Sequence, residues 1–130
     1  MVVFSFSGSC FLIRREVLDK IDGLDEHFFM YLEEMEFCYR AKKLNFETWF
    51  FPMAKVYHLV RGSSPEGKQK AIWWTYENFV YFYQKHFALW QLAVLKLLLR
   101  LKAGLAWGIG VMMGNSYLKS TYGKAFKLVR

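Results

Sequence analysis

The spacing of apolar and polar positions changes several times along the chain and predicts an ordered series of elements. Over VVFSFS (2–7) apolar residues alternate with small polar ones, and GSCFLI (8–13) is largely apolar. Both predict strands, with Gly8 allowing a turn, a bulge or a close backbone approach between them. RREVLDKI (14–21) has apolar residues at helical spacing and predicts a helix that Gly23 ends. EEMEFCYRAKKL (33–44) predicts a second helix, with acids in its first turn and Arg40, Lys42 and Lys43 in its last, as the helix dipole favours. Within it Glu36 and Arg40 stand four apart and can pair. ETWFFP (47–52) predicts a short strand stopped by Pro52, AKVYHLV (54–60) another strand, and RGSSPEG (61–67) a loop. KQKAIWWTYENFVYFYQKHF (68–87) predicts a long aromatic helix, and its stripe of Ile72, Tyr76, Phe79, Tyr83 and Phe87 predicts core packing.

Beyond residue 87 the pattern predicts amphipathic helices. Phe87, Trp90, Val94, Leu97, Leu98, Leu101 and Leu105 fall on one side of a wheel, with Lys85, Lys96 and Arg100 on the other. A spanning helix needs about 20 predominantly apolar residues, and Lys96, Arg100 and Lys102 interrupt this stretch. The tail is therefore expected to lie on a membrane surface, with packing against the rest of the chain or another subunit as the alternative.

Charge sharpens that expectation. Residues 1–77 hold ten Lys/Arg and eleven Asp/Glu, whereas residues 78–130 hold eight Lys/Arg and no acid. A neutral body with a basic tail implies an anionic partner for the tail. Its cations punctuate apolar residues rather than Asn, Gln and Ser, so lipid fits better than nucleic acid. With 130 residues, 55% of them hydrophobic, one packed domain with an appendage is expected. Cys10 and Cys38 form no C-x-x-C pattern, which argues against a zinc ribbon or a disulfide framework. MVVFSFSGSC has no basic leader and is not expected to be a signal peptide.

Candidate chemistry concentrates in FFMYLEEMEFCYR (28–40), where Glu33, Glu34 and Glu36 follow what reads as a buried apolar wall, Phe28 to Leu32. On a helix Glu34 lies about 100° round from Glu33 and lines up with Cys38 and Ala41, small residues that suit a carboxylate facing a cleft. An ionised carboxylate there can act as a general base. On spacing alone, acids that only satisfy a helix N-terminus are the better explanation, because acids in a first turn are a common helix-start signal. A metal-dependent hydrolase using Glu33, Glu34 and His58 is a further reading, weakened by the lack of an H-E-x-x-H pairing.

Several landmarks run in order from Gly8 to Ser64: Gly8, Arg14 and Arg15, Gly23 to Glu26, Phe28 to Tyr31, Glu33 to Glu36, Cys38 to Arg40, and His58 to Ser64. In order and spacing this stretch resembles the distal half of the catalytic domain of glycosyltransferase family 2, particularly its bacterial rhamnosyltransferase-like members. The resemblance implies an α/β fold, a truncated nucleotide-diphospho-sugar transferase (GT-A-like) domain over residues 1–87, with the amphipathic tail over 88–130. It implies inverting transfer of a sugar from a nucleotide-sugar donor to a glycan or lipid-linked acceptor, in cell-surface polysaccharide synthesis at the cytoplasmic face of a bacterial inner membrane.

Residue by residue, the resemblance makes Glu34 the base that deprotonates the acceptor hydroxyl. It sets Gly8, Ser9, Asp25, Glu33 and Trp73 around the substrate, and His58, Arg61 and Ser63 near the donor diphosphate or its Mg²⁺ or Mn²⁺. The chain departs from the family pattern in having Glu34 and Glu36 where Asp is expected. It also has no Asp-x-Asp and no Gly-rich loop after an early strand, so the nucleotide-binding half is expected to be missing and the chain alone to be inactive. A noncatalytic membrane-surface module or an inactive remnant is the alternative.

Overall fold

The computed structural model describes residues 1–57 and 67–130. These form two compact units, Met1–Pro65 and Glu66–Arg130. The packing boundary thus precedes the aromatic helix, whereas the sequence suggested a boundary after it, at residue 87.

In the first unit, β1 (Val2–Val3) pairs antiparallel with β2 (Thr48–Trp49), Val2 opposite Trp49 and Val3 opposite Thr48. Helices α1 (Arg15–Ile21) and α2 (Glu33–Lys43) pack through Val17, Ile21, Phe37 and Ala41, with Ile13, Leu18 and Phe46 at the edge of this core. Helix α1 ends as its sequence requires: Asp22 and Gly23 both take left-handed backbone, and their N–H groups donate to the Leu18 carbonyl. Glycine adopts that conformation without a Cβ penalty. Two expectations are corrected here. GSCFLI and the described part of AKVYHLV, residues 54–57, form no strand, because a strand needs a neighbouring ladder and the described residues give only β1 and β2 to each other. Of the apolar wall, Phe28 is buried, but Phe29 and Tyr31 are exposed.

The second unit consists of α3 (Gly67–His86), α4 (Leu89–Met112) and α5 (Ser116–Leu128). Its core is Tyr76, Val80, Leu92, Ala103, Ala125 and Val129. Ile72, Tyr76 and Tyr83 of the predicted aromatic stripe join that packing. Helix α5 starts at Asn115, whose side chain accepts the Leu118 N–H at 3.1 Å, a cap of the preferred type. Gly110 sits where α4 and α5 approach closely: a Cβ there would lie 2.8 Å from both Leu118 Cβ and the Lys119 backbone nitrogen. Phe87, which the sequence places both in the aromatic stripe and on the apolar side of the tail, stacks on Tyr83 of that stripe, ring centroids 4.5 Å apart.

Candidate active site

The start of α2 is built on strained backbone. Tyr31 and Leu32 both have positive φ, 71° and 68°, although neither is glycine. Such conformations cost about 1–3 kcal/mol each and recur at functional sites. They turn the chain so that Glu33 and Glu34 open the helix, acids at its positive end.

The three acids have different surroundings. Glu36 is fully buried, and Arg40 Nε donates to its two carboxylate oxygens at 2.9 and 2.8 Å. Arg40 also donates to the carbonyls of Ile21 and Gly23. Glu36 is therefore occupied in tying α2 to the end of α1. Glu34 Oε1 accepts the Gly8 N–H at 3.4 Å, while its Oε2 is buried and has no hydrogen-bond partner among the described residues. Glu33 Oε2 is in the same condition. Burial pushes the Glu33 carboxyl above its ordinary range, the neighbouring Glu34 charge adds to this, and the hydrogen bond from its own backbone N–H opposes it. A buried oxygen without a partner is costly unless something supplies a donor.

Below this pair lies Cys38, only 2% exposed. Burial raises its thiol pKa, hydrogen bonds with the Thr48 side chain and the Phe6 backbone oppose the rise, and the Glu34 charge adds to it. Gly8 closes the other side, where an added Cβ would meet Glu34 Cβ and Cδ at 3.6 Å and Glu33 Oε1 at 3.8 Å.

Gly8, Glu33 and Glu34 are the predicted site residues that come together. Ser9 shares the Gly8 turn and sits 3.2 Å, hydroxyl to hydroxyl, from Ser7. Asp25 shapes the turn ahead of α2, accepting the His27 N–H at 2.9 Å on its carboxylate and the Phe28 N–H at 3.1 Å on its carbonyl. Trp73 belongs to the second unit and has a packing role: its indole N–H donates to the Thr121 carbonyl at 2.9 Å, and Lys124 Nζ stands 3.8 Å from the centre of its ring. His58, Arg61 and Ser63 lie outside the described residues. The left-handed pair Tyr31–Leu32 went unforeseen, because only Gly or Asn would have signalled such backbone.

A divalent metal on this site would need a set of convergent ligands. Among the described residues no three His, Cys, Asp or Glu side chains come together in that way. Glu33 and Glu34 alone do not build a metal site.

Comparison with known proteins gives the site a context. The model of a family described as "Glycosyl transferase family group 2" matches residues 1–126. The low-salt glycan biosynthesis hexosyltransferase Agl10 of Haloferax volcanii is 55% identical over 38 residues, 29% of this chain and 12% of that protein. N-acetylglucosaminyl-diphospho-decaprenol L-rhamnosyltransferase of Mycobacterium tuberculosis is 38% identical over 52 residues, 40% of this chain and 17% of that protein. The chain thus matches only a small part of the length of either curated relative. No solved structure matches the chain.

Proposed function

Because the chain belongs to glycosyl transferase family group 2, we propose that its first unit carries the acceptor side of an inverting sugar transfer in which Glu34 is the general base. The observation that carries this reading is the contrast among the three acids: Arg40 holds both oxygens of Glu36, whereas Glu33 and Glu34 each keep one buried oxygen without a partner among the described residues, and Glu34 has its other oxygen on the Gly8 N–H.

In the proposed reaction an acceptor hydroxyl donates its hydrogen bond to Glu34 Oε2. Its oxygen attacks the anomeric carbon of a nucleotide-sugar from the face opposite the diphosphate. The proton passes to Glu34 as the new C–O bond forms, and the bond to the diphosphate breaks with its electron pair going to the nucleotide. Attack from the opposite face inverts the anomeric centre. Burial lets Glu33 keep its proton to higher pH than an ordinary carboxylate.

The acceptor is proposed to be a glycan or lipid-linked saccharide, in line with the two relatives, a hexosyltransferase of glycan biosynthesis and an N-acetylglucosaminyl-diphospho-decaprenol rhamnosyltransferase. A GT-A-like fold and a divalent cation on the donor diphosphate are part of the proposal. The test is the anomeric configuration of product made by the protein that carries this chain, read by NMR. Inversion supports the direct displacement. Retention would rule out a single displacement with Glu34 as base.

A further inference from the structure

Helix α4 is apolar on two opposite sides. One side carries the buried Leu92, Ala103 and Gly110. About 180° round the helix, by the wheel, stand Trp90, Val94, Leu97, Leu98, Leu101 and Leu105, all exposed, with Trp90 and Leu105 each at 69%. The exposed face continues to Met112, a length of about 33 Å at 1.5 Å per residue. Ala103 and Gly110 lie on the buried side beside Leu92, whereas the six outward residues are all large and apolar, an unusual division for a hairpin in water. Close approach through small residues is the packing that helices use in lipid, and a contiguous apolar face of this size marks an interaction surface.

Charge selects the occupant. Residues 67–130 hold ten Lys/Arg and one acid, Glu77. On the wheel Arg100 and Lys102 stand on the two flanks of the apolar face; the Arg100 guanidinium rests 5.8 Å from the centre of the Phe126 ring of α5, and the long Lys102 stem can carry its charge to a headgroup layer. A second copy of the chain would bring like charges together, whereas an anionic bilayer supplies phosphates. A shallow cavity of about 200 Å³, lined by Tyr83, Trp90, Gln91, Val94, Leu95 and Leu98, opens on the same face. No described helix is long and apolar enough to cross a membrane.

We propose that this face of α4 docks on an anionic lipid bilayer, with α4 along the interface, α5 on its water side, and an acyl chain seated in the cavity beside Trp90. This surface lies outside the catalytic reading and stands or falls without it.

The test is co-sedimentation of the chain with vesicles of equal parts phosphatidylglycerol and phosphatidylcholine, and with phosphatidylcholine alone. The chain is expected to sediment with the mixed vesicles, less with the neutral ones, and less as salt rises. Leu97→Asp with Leu101→Asp should weaken binding about a hundredfold or more with helix content unchanged by circular dichroism. Arg100→Gln with Lys102→Gln should remove most of the preference for phosphatidylglycerol. Should the Asp pair fail to fold, the unaltered chain still decides: brominated acyl chains should quench its tryptophan fluorescence, and Trp90→Phe should remove most of that quenching. A chain left in the supernatant at low salt, or a dimer that the Asp pair dissociates without any vesicle binding, would overturn the proposal.

Discussion

Arg40 grips Glu36 through both carboxylate oxygens, at 2.9 and 2.8 Å, and spends its remaining donors on the carbonyls of Ile21 and Gly23. One side chain thereby joins α2 to the end of α1 and withdraws an acid from chemistry. Replacing Arg40 with Ala would take from the buried Glu36 charge the guanidinium that holds both its oxygens, a loss of about 3–5 kcal/mol. Urea unfolding of Arg40→Ala against the unaltered chain checks this. Equal midpoints would mean that the ion pair holds nothing together.

Glu33 gives the fold a pH dependence of definite sign. Burial raises its folded-state pKa above the ordinary 4.5, so the folded chain binds this proton more tightly than the unfolded one. That stabilisation is complete below the ordinary value and is lost as pH rises through the raised one. Glu33→Gln carries no such proton and should lose less stability between about pH 4 and pH 7. Parallel stability curves for the two proteins over that interval would refute the assignment.

The two thiols should differ sharply in reactivity. Cys10 is exposed and Cys38 is buried, with the Cys38 thiol held above its usual pKa by burial. Thiolate is the reactive form. A thiol reagent at neutral pH should label Cys10 quickly and Cys38 only on unfolding, as peptide mapping would reveal. Prompt labelling of Cys38 in the folded chain would contradict the closed floor beneath Glu34.

Two glycines of α4 should respond in opposite directions. Ala at Gly110 would meet Leu118 and the backbone of Lys119 at 2.8 Å, and overpacking of this kind costs about 1–3 kcal/mol. At Gly108 nothing stands within 4 Å, so Ala should gain helix propensity of about 0.8–1 kcal/mol. Thermal melts should move down for Gly110→Ala and up for Gly108→Ala. A shift of the same sign for both would disprove the close approach of α4 and α5.

Much of this was legible in the sequence because it depends on local spacing. The bounds of α1 and α2, the left-handed end of α1 at Gly23, the Glu36–Arg40 pair and the line of Glu34, Cys38 and Ala41 all follow from helical periodicity. Strands were not legible in the same way. GSCFLI has strand character, but a ladder is made with a partner distant in sequence, and alternation cannot name that partner. The hydrogen bond from Trp73 to Thr121 spans 48 residues, and no local spacing announces it. The unpartnered oxygens of Glu33 and Glu34 depend on Gly8, 26 residues upstream of Glu34, and the left-handed Tyr31 and Leu32 carry no residue-type signal at all.

The most direct measurement of the catalytic claim is transfer by the protein that carries this chain with Glu34→Gln, assayed beside Glu33→Gln and with donor affinity measured for each. Loss of a general base should lower turnover about 10²–10⁴-fold in Glu34→Gln, with donor affinity unchanged and a smaller loss in Glu33→Gln. Turnover by Glu34→Gln within a few-fold of the unaltered protein, or the larger loss falling on Glu33→Gln, would contradict Glu34 as the base.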